Sequence, residues 1–132
     1  MNIEELFERQ NMLSNFEMKL EERLPGKLCI SMPVTDKVRQ PFGYLHGGAT
    51  IALCETAASL GSADLIDLKT TLAFGLEVNA NHIASVREGR VFAHAVILHE
   101  GQSTHVWEVR VIAEDKRLLS ISRATIAIRE KR

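Results

Sequence analysis

Glu55 stands in the stretch IALCETAAS, where the residues three and four positions away are Ile51, Ala52, Ala58 and Ser59. Between Val34 and Ala63 the only cationic side chains are Lys37 and Arg39. A carboxylate buried there without a local cation would have a raised pKa, and a carboxylate so poised can move a proton or attack an electrophile. On an exposed helical stripe the same residue would simply be solvated. His46 precedes the pair Gly47 and Gly48. A helix start disfavours an imidazolium, so a neutral His46 ring could orient a nearby group, although a lone histidine also serves well as a purely structural residue. The N–H of Gly47 is the more telling donor. At a helix start it points outward, and the helix dipole favours charge developing on a carbonyl oxygen placed against it. No serine or cysteine is set against a base, so a carboxylate and an N–H donor together suit attack on an activated acyl group such as a thioester.

These groups need a helix to hold them. Pro41 biases Gln40 away from helical angles, and the following stretch reads as a helix from near His46 or Gly47 to about Ala63. No Ser, Thr, Asp or Asn stands at its start, so water, another part of the fold or a ligand must satisfy its first N–H groups. Ala49, Ala52, Ala57, Ala58, Gly61 and Ala63 make it slim, which suits a sheet curling closely around it. From His46 to Glu55 the helix rises about 13 Å. One carbonyl cannot easily reach both ends of that span. A facing helix from a second subunit would resolve the difficulty by bringing its own Glu55 to the Gly47 of the first.

Around the helix, residues from Ile3 to about Leu13 read as one short helix, and Pro25 and Gly26 as a turn. Leu28, Ile30, Met32 and Val34 alternate as in a strand. Four further strand candidates follow, in TTLAFGLEV, GRVFAHAVILH, THVWEVRVIAE and LLSISRATIAIR, with REGR and AEDKR read as hairpin turns and Gly101 marking another. The last three strands are joined tightly enough to be antiparallel. Asn79 to His82 ends the first of the four, either as a turn or with Asn81 or His82 at the mouth of a pocket. One helix covers only part of such a sheet, so a second copy of the chain is expected to shelter the rest.

The bulk properties bound the function. The 132 residues allow one domain and one core, and the sequence is read as one domain over residues 1–132. A net charge of -1 advertises neither a nucleic-acid nor a membrane surface. No run approaches the roughly 18 apolar residues of a spanning helix. Cys29 and Cys54 have no metal or redox spacing and sit in apolar surroundings, which favours buried free thiols in a reducing, cytoplasmic compartment. The histidines lack HExxH spacing, so no metal is expected. His94 alternates with Ala93 and Ala95 and should face away from them, while His99 and His105 are expected at the surface.

QPFGYLHGGATIALCETAAS closely resembles the hotdog-fold acyl-CoA thioesterases, in the bacterial branch acting on aromatic thioesters such as 4-hydroxybenzoyl-CoA or 1,4-dihydroxy-2-naphthoyl-CoA. The likeness continues through GLEVNANHIASVREGRV, Trp107 and SRATIAI, from about Leu28 to Ile128. The resemblance implies an α+β hotdog fold, a long central helix wrapped by a five- to six-stranded antiparallel sheet, with dimers sharing active sites and commonly pairing into homotetramers. It implies that Glu55 acts as nucleophile or as general base on water, that the Gly47 N–H polarises the thioester carbonyl, and that Gln40 and His46 hold that end of the reaction. It further implies that Ser59 helps place the water or carboxylate and that His82 lies at the acyl end of the pocket. Coenzyme A would enter as part of the substrate, with no separate cofactor. Arg87, Arg90 and Arg123 are candidates to neutralise its phosphates, and Gly101 and Ser103 to offer backbone N–H groups. Two other readings stay open at the level of sequence. One is a hydratase or dehydratase of the same fold, and the other a non-catalytic acyl-CoA-binding domain.

Overall fold

The computed structural model describes residues 2–132. Its elements are α1 (Ile3–Leu6), α2 (Met12–Asn15), β1 (Lys19–Leu24), β2 (Lys27–Pro33), a 3-10 turn (Asp36–Val38), α3 (Gly47–Ala63), β3 (Thr71–His82), β4 (Arg90–Glu100), β5 (Thr104–Ala113) and β6 (Leu118–Glu130). The strands form one antiparallel sheet in the order β1-β2-β4-β5-β6-β3. Its concave face wraps α3. Leu28, Ile30 and Met32 of β2, Val91 and Ala93 of β4, and Val109 and Val111 of β5 bury against Leu53, Cys54, Ala57 and Ala58 of the helix. The period-two alternation in these strands is thus the pattern of a sheet with one buried face.

The slimness of α3 has a specific use near its end. A Cβ on Gly61 would lie 2.5 Å from the Trp107 ring of β5, so only glycine lets that ring lie against the helix. Trp107 Nε1 donates to Ser62 Oγ at 2.7 Å, and His105 Nδ1 meets the same oxygen at 2.8 Å. His105 is therefore buried, not superficial, and burial lowers its pKa below the ordinary 6.5. His94 does face outward, 3.9 Å from Cys29 Sγ.

Three further expectations are corrected. The N-terminal stretch is two short helices, because Asn11 breaks it: the Asn11 side chain accepts from Leu13 N and reaches back to Leu6 O, while Ser14 completes a capping box. A sixth strand, β1, occupies residues 19–24, where the sequence pattern marked no strand. Its only apolar interior residue is Leu20, as suits a mostly exposed edge strand. REGR is not a hairpin, since β3 pairs with β6 and β4 with β2, so the chain from β3 to β4 crosses the sheet. Among the described residues, no helix is long and apolar enough to cross a membrane.

Candidate active site

The mouth of α3 can be read bond by bond. His46 is its N-cap: its own N–H donates to Val38 O, and its Nδ1 accepts from Gly48 N at 2.7 Å. The His46 carbonyl accepts from Ala49 N and Thr50 N. With Nδ1 as acceptor, the neutral ring carries its proton on Nε2. Of the first four N–H groups, that of Gly47 alone has no acceptor among the described residues. The cap that the sequence lacked in its usual residue types is supplied by a histidine, and one donor is left over.

The preceding loop aims a second donor. Gln40 O accepts from Gly43 N in a turn with Pro41 at its second position, and Gly43 takes φ +93°. Gln40 Oε1 accepts from Phe42 N at 2.5 Å and from Tyr44 N at 3.3 Å. With the amide oxygen so held, the Gln40 NH2 is the end left to donate outward. Gln40, Gly47, Thr50 and His82 line one cavity of about 160 Å³. The His82 ring lies directly on Gly47, where an added Cβ would come within 2.8 Å of Nε2, so His82 stands at the helix mouth and not, as the resemblance implied, beside the cavity that Glu55 borders. His82 closes β3, so the Asn79–His82 stretch is strand, not turn. His46, committed to the cap, is not among the residues lining this cavity.

Glu55 occupies a different place. It lies on the exposed stripe of α3 and borders a cavity of about 320 Å³ with Thr56 and Ser59 below it and Met12 and Leu13 of α2 above. Thr56 Oγ1 donates to Ala52 O at 2.7 Å, so of the two hydroxyls Ser59's is the better placed to face the cavity. The Glu55 carboxylate packs onto Gly75 of β3, where an added Cβ would be 2.8 Å from Cδ. The ladder to β6 shifts register between Gly75 and Glu77, a bulge beneath the carboxylate. Cys54, next in sequence, points into the core instead, and burial pushes its thiol up to about 11, so no thiolate competes as nucleophile. The sequence reading missed Gly75, Thr50, Met12 and Leu13. The glycine carried a signal, since a glycine inside a strand marks a bulge or a close approach.

The remaining candidates divide by location. Asn81 lies in the last turn of pairing of β3, opposite Ile121. Arg87 stacks on the Tyr44 ring at 4.2 Å and donates to its hydroxyl at 3.0 Å. Arg87 and Arg90 border a cleft of about 570 Å³, which adjoins the Gln40–Gly47 cavity at Ser85. Arg90 is partly engaged there, its Nη1 donating to Ser31 Oγ at 2.8 Å. Arg123 stands on β6 between Asn79 and Glu108 of the neighbouring strands, exposed. Gly101 and Ser103 sit in the β4–β5 hairpin at the other end of the sheet. There the Gly101 N–H is bonded to Thr104 O and the Ser103 carbonyl accepts from Ile128 N.

Comparison with known proteins places the chain in a family. Residues 42–120 match the model of the thioesterase superfamily. The 1,4-dihydroxy-2-naphthoyl-CoA hydrolase of Listeria monocytogenes is 51% identical over 107 residues, 81% of this chain and 86% of that protein. The Escherichia coli protein of the same name is 38% identical over 118 residues, 89% of this chain and 86% of that protein. Among solved structures, a Staphylococcus aureus thioesterase with a glutamine replaced by alanine superposes with a TM-score of 0.88 at 54% identity, covering 89% of this chain and 98% of that one. The same Staphylococcus aureus protein is also known with a glutamate replaced by alanine, and the two substituted positions have the sequence separation of Gln40 and Glu55. A Pseudomonas aeruginosa thioesterase gives a TM-score of 0.93 at 35% identity, covering 99% and 96%. With a long helix in a curled six-stranded sheet and these likenesses along nearly its whole length, the chain belongs to the thioesterase superfamily, as a hotdog-fold enzyme that hydrolyses thioesters.

Proposed function

We propose that the substrate is an aromatic acyl-CoA, of the kind named for the 1,4-dihydroxy-2-naphthoyl-CoA hydrolases it resembles, and that each active site is built from two protomers. The carrying observation is the separation of the two half-sites. Gly47 and Glu55 lie about 12 Å apart along one helix and border different cavities. A second copy, placing its Glu55 against the Gln40–Gly47 cavity of the first, completes the constellation. The unpaired edge of β3, with Leu72, Phe74 and Leu76 exposed, offers a place for that copy.

In the joined site the thioester oxygen accepts from the Gly47 N–H, assisted by the Gln40 amide. Glu55 then either takes a proton from a water whose oxygen bonds to the carbonyl carbon, or attacks that carbon itself to give an anhydride that water opens. In both cases the oxyanion forms on the Gly47 N–H, the C–S bond breaks, and the thiolate of coenzyme A leaves and is protonated. His46 holds the helix start open by capping Gly48, and His82 walls the oxyanion side. The carbonyl is thereby fixed by groups that do not reorganise during reaction. Arg87, with no ion-pair partner among the described residues and its plane set by Tyr44, is the best placed of the arginines for a phosphate of the nucleotide.

A mixing experiment tests the shared site. Glu55→Gln and Gln40→Ala chains are made separately and by co-expression. Glu55→Gln alone should lose about 10²–10⁴-fold in kcat. Co-expressed chains should regain about a quarter of wild-type turnover, because half the dimers are mixed and each mixed dimer holds one intact site. Turnover no greater than that of the parents would place all the machinery within one chain.

A further inference from the structure

We propose that α2 roofs the acyl-binding chamber and that Met12 sets the size of acyl group the enzyme accepts. The inference rests on Glu55 being the group that attacks the thioester, because it places the acyl group in the cavity beside that carboxylate.

The floor of this cavity is a partly exposed stripe of α3. Ala52, Thr56, Ser59 and Leu60 follow one another at helical spacing along it, with Glu55 at the mouth. Thr56 spends its hydroxyl on the helix backbone, so the floor is mostly apolar. Within one protomer the cavity volume is about 320 Å³.

The roof is held from both sides. Leu13 and Phe16 pack against the core, and the Leu13 carbonyl accepts from Met18 N at 2.8 Å. The Asn11 capping box and the bond from Asn11 to Leu6 O fix the other end. Between these anchors Met12 is 51% exposed and lies outside the core cluster, yet it borders the cavity. A four-residue helix so firmly anchored, with one flexible thioether left over the chamber, is arranged to press that side chain on whatever enters. Methionine adapts to irregular shapes and its sulfur contacts ring edges favourably, which matches an aromatic acyl group. Because Met12 contributes little to the core, it can be replaced without losing the fold.

The test measures kcat/KM for the full-length enzyme on acetyl-, hexanoyl-, decanoyl-, benzoyl- and 2-naphthoyl-CoA. Met12→Ala should raise the decanoyl-to-benzoyl ratio by about tenfold, and Met12→Trp should lower the 2-naphthoyl-to-acetyl ratio by about the same factor. The changes should appear mainly in KM. A merely structural residue would scale all substrates alike. If both variants remain folded by circular dichroism and keep the wild-type ratios within about twofold, the roof assignment is overturned while the thioesterase reading stands. If Glu55→Gln hydrolyses these substrates as fast as wild type, the underlying reading fails and the inference falls with it.

Discussion

In the proposed mechanism Gly75, a residue without a side chain, makes room for the attacking carboxylate. Its φ is not in the left-handed region, so alanine fits the backbone there. What alanine would meet is the Glu55 side chain. Gly75→Ala is therefore expected to push the carboxylate off β3 and to lower kcat by about 10- to 100-fold, with KM little changed, because displacing a reacting group by an ångström costs that order. In a Glu55→Gln background the same substitution should cost almost nothing more, since both act on one group. Steady-state kinetics on the single and double variants check this. A loss that persists undiminished in the double variant would mean that Gly75 matters for the strand and not for the carboxylate.

At the scale of elements, α3 must be seated so that its mouth and its exposed stripe both face outward correctly. Ser62 seats its last turn against β5 by bonding Trp107 and His105 together. Ser62→Ala would leave Trp107 Nε1 buried without an acceptor, a loss of about 1–3 kcal/mol in urea unfolding. His105 adds a pH dependence. Burial, the first cause, lowers its pKa, aided by His99 and opposed by Glu100. The unfolded chain takes up the proton near 6.5 while the folded chain resists it, so stability is intact above about 6.5 and is lost as pH falls below it. Urea midpoints at about pH 7.5 and pH 5 should therefore differ, and His105→Gln should remove part of that difference. An identical pH response in the variant would assign the effect to other groups.

At the scale of the whole molecule, the exposed edge of β3 and the proposed division of the site both favour a second chain. A 12-residue strand with one edge unpaired invites association unless it is covered. Leu76, at the bulge and 60% exposed, is a point where a charge should oppose pairing. Leu76→Lys is expected to shift sedimentation velocity toward the monomer and to lower turnover in step, with activity rising again at high protein concentration. A monomer with full activity would separate the β3 edge from the site.

The one-dimensional record determined what depends on local pattern. Alternation or apolar β-rich runs between turn signals marked five of the six strands, and small residues marked α3 between near His46 and Ala63, because one-sided burial and turns leave a local record in the residue types. Glu55 and the Gly47 N–H stood out by residue type and position on the helix, whereas Gln40 and His82 took their roles only from the family resemblance. What needed three dimensions was decided by contacts distant in sequence. Charges hid β1 at a solvent edge, Asn11 split the first helices through its own hydrogen bonds, and Trp107 and Ser62 drew His105 inside. Only the folded sheet could lay Gly75 under Glu55 and α2 over the chamber, since those meetings arise from the packing of strands and helices that no local period encodes.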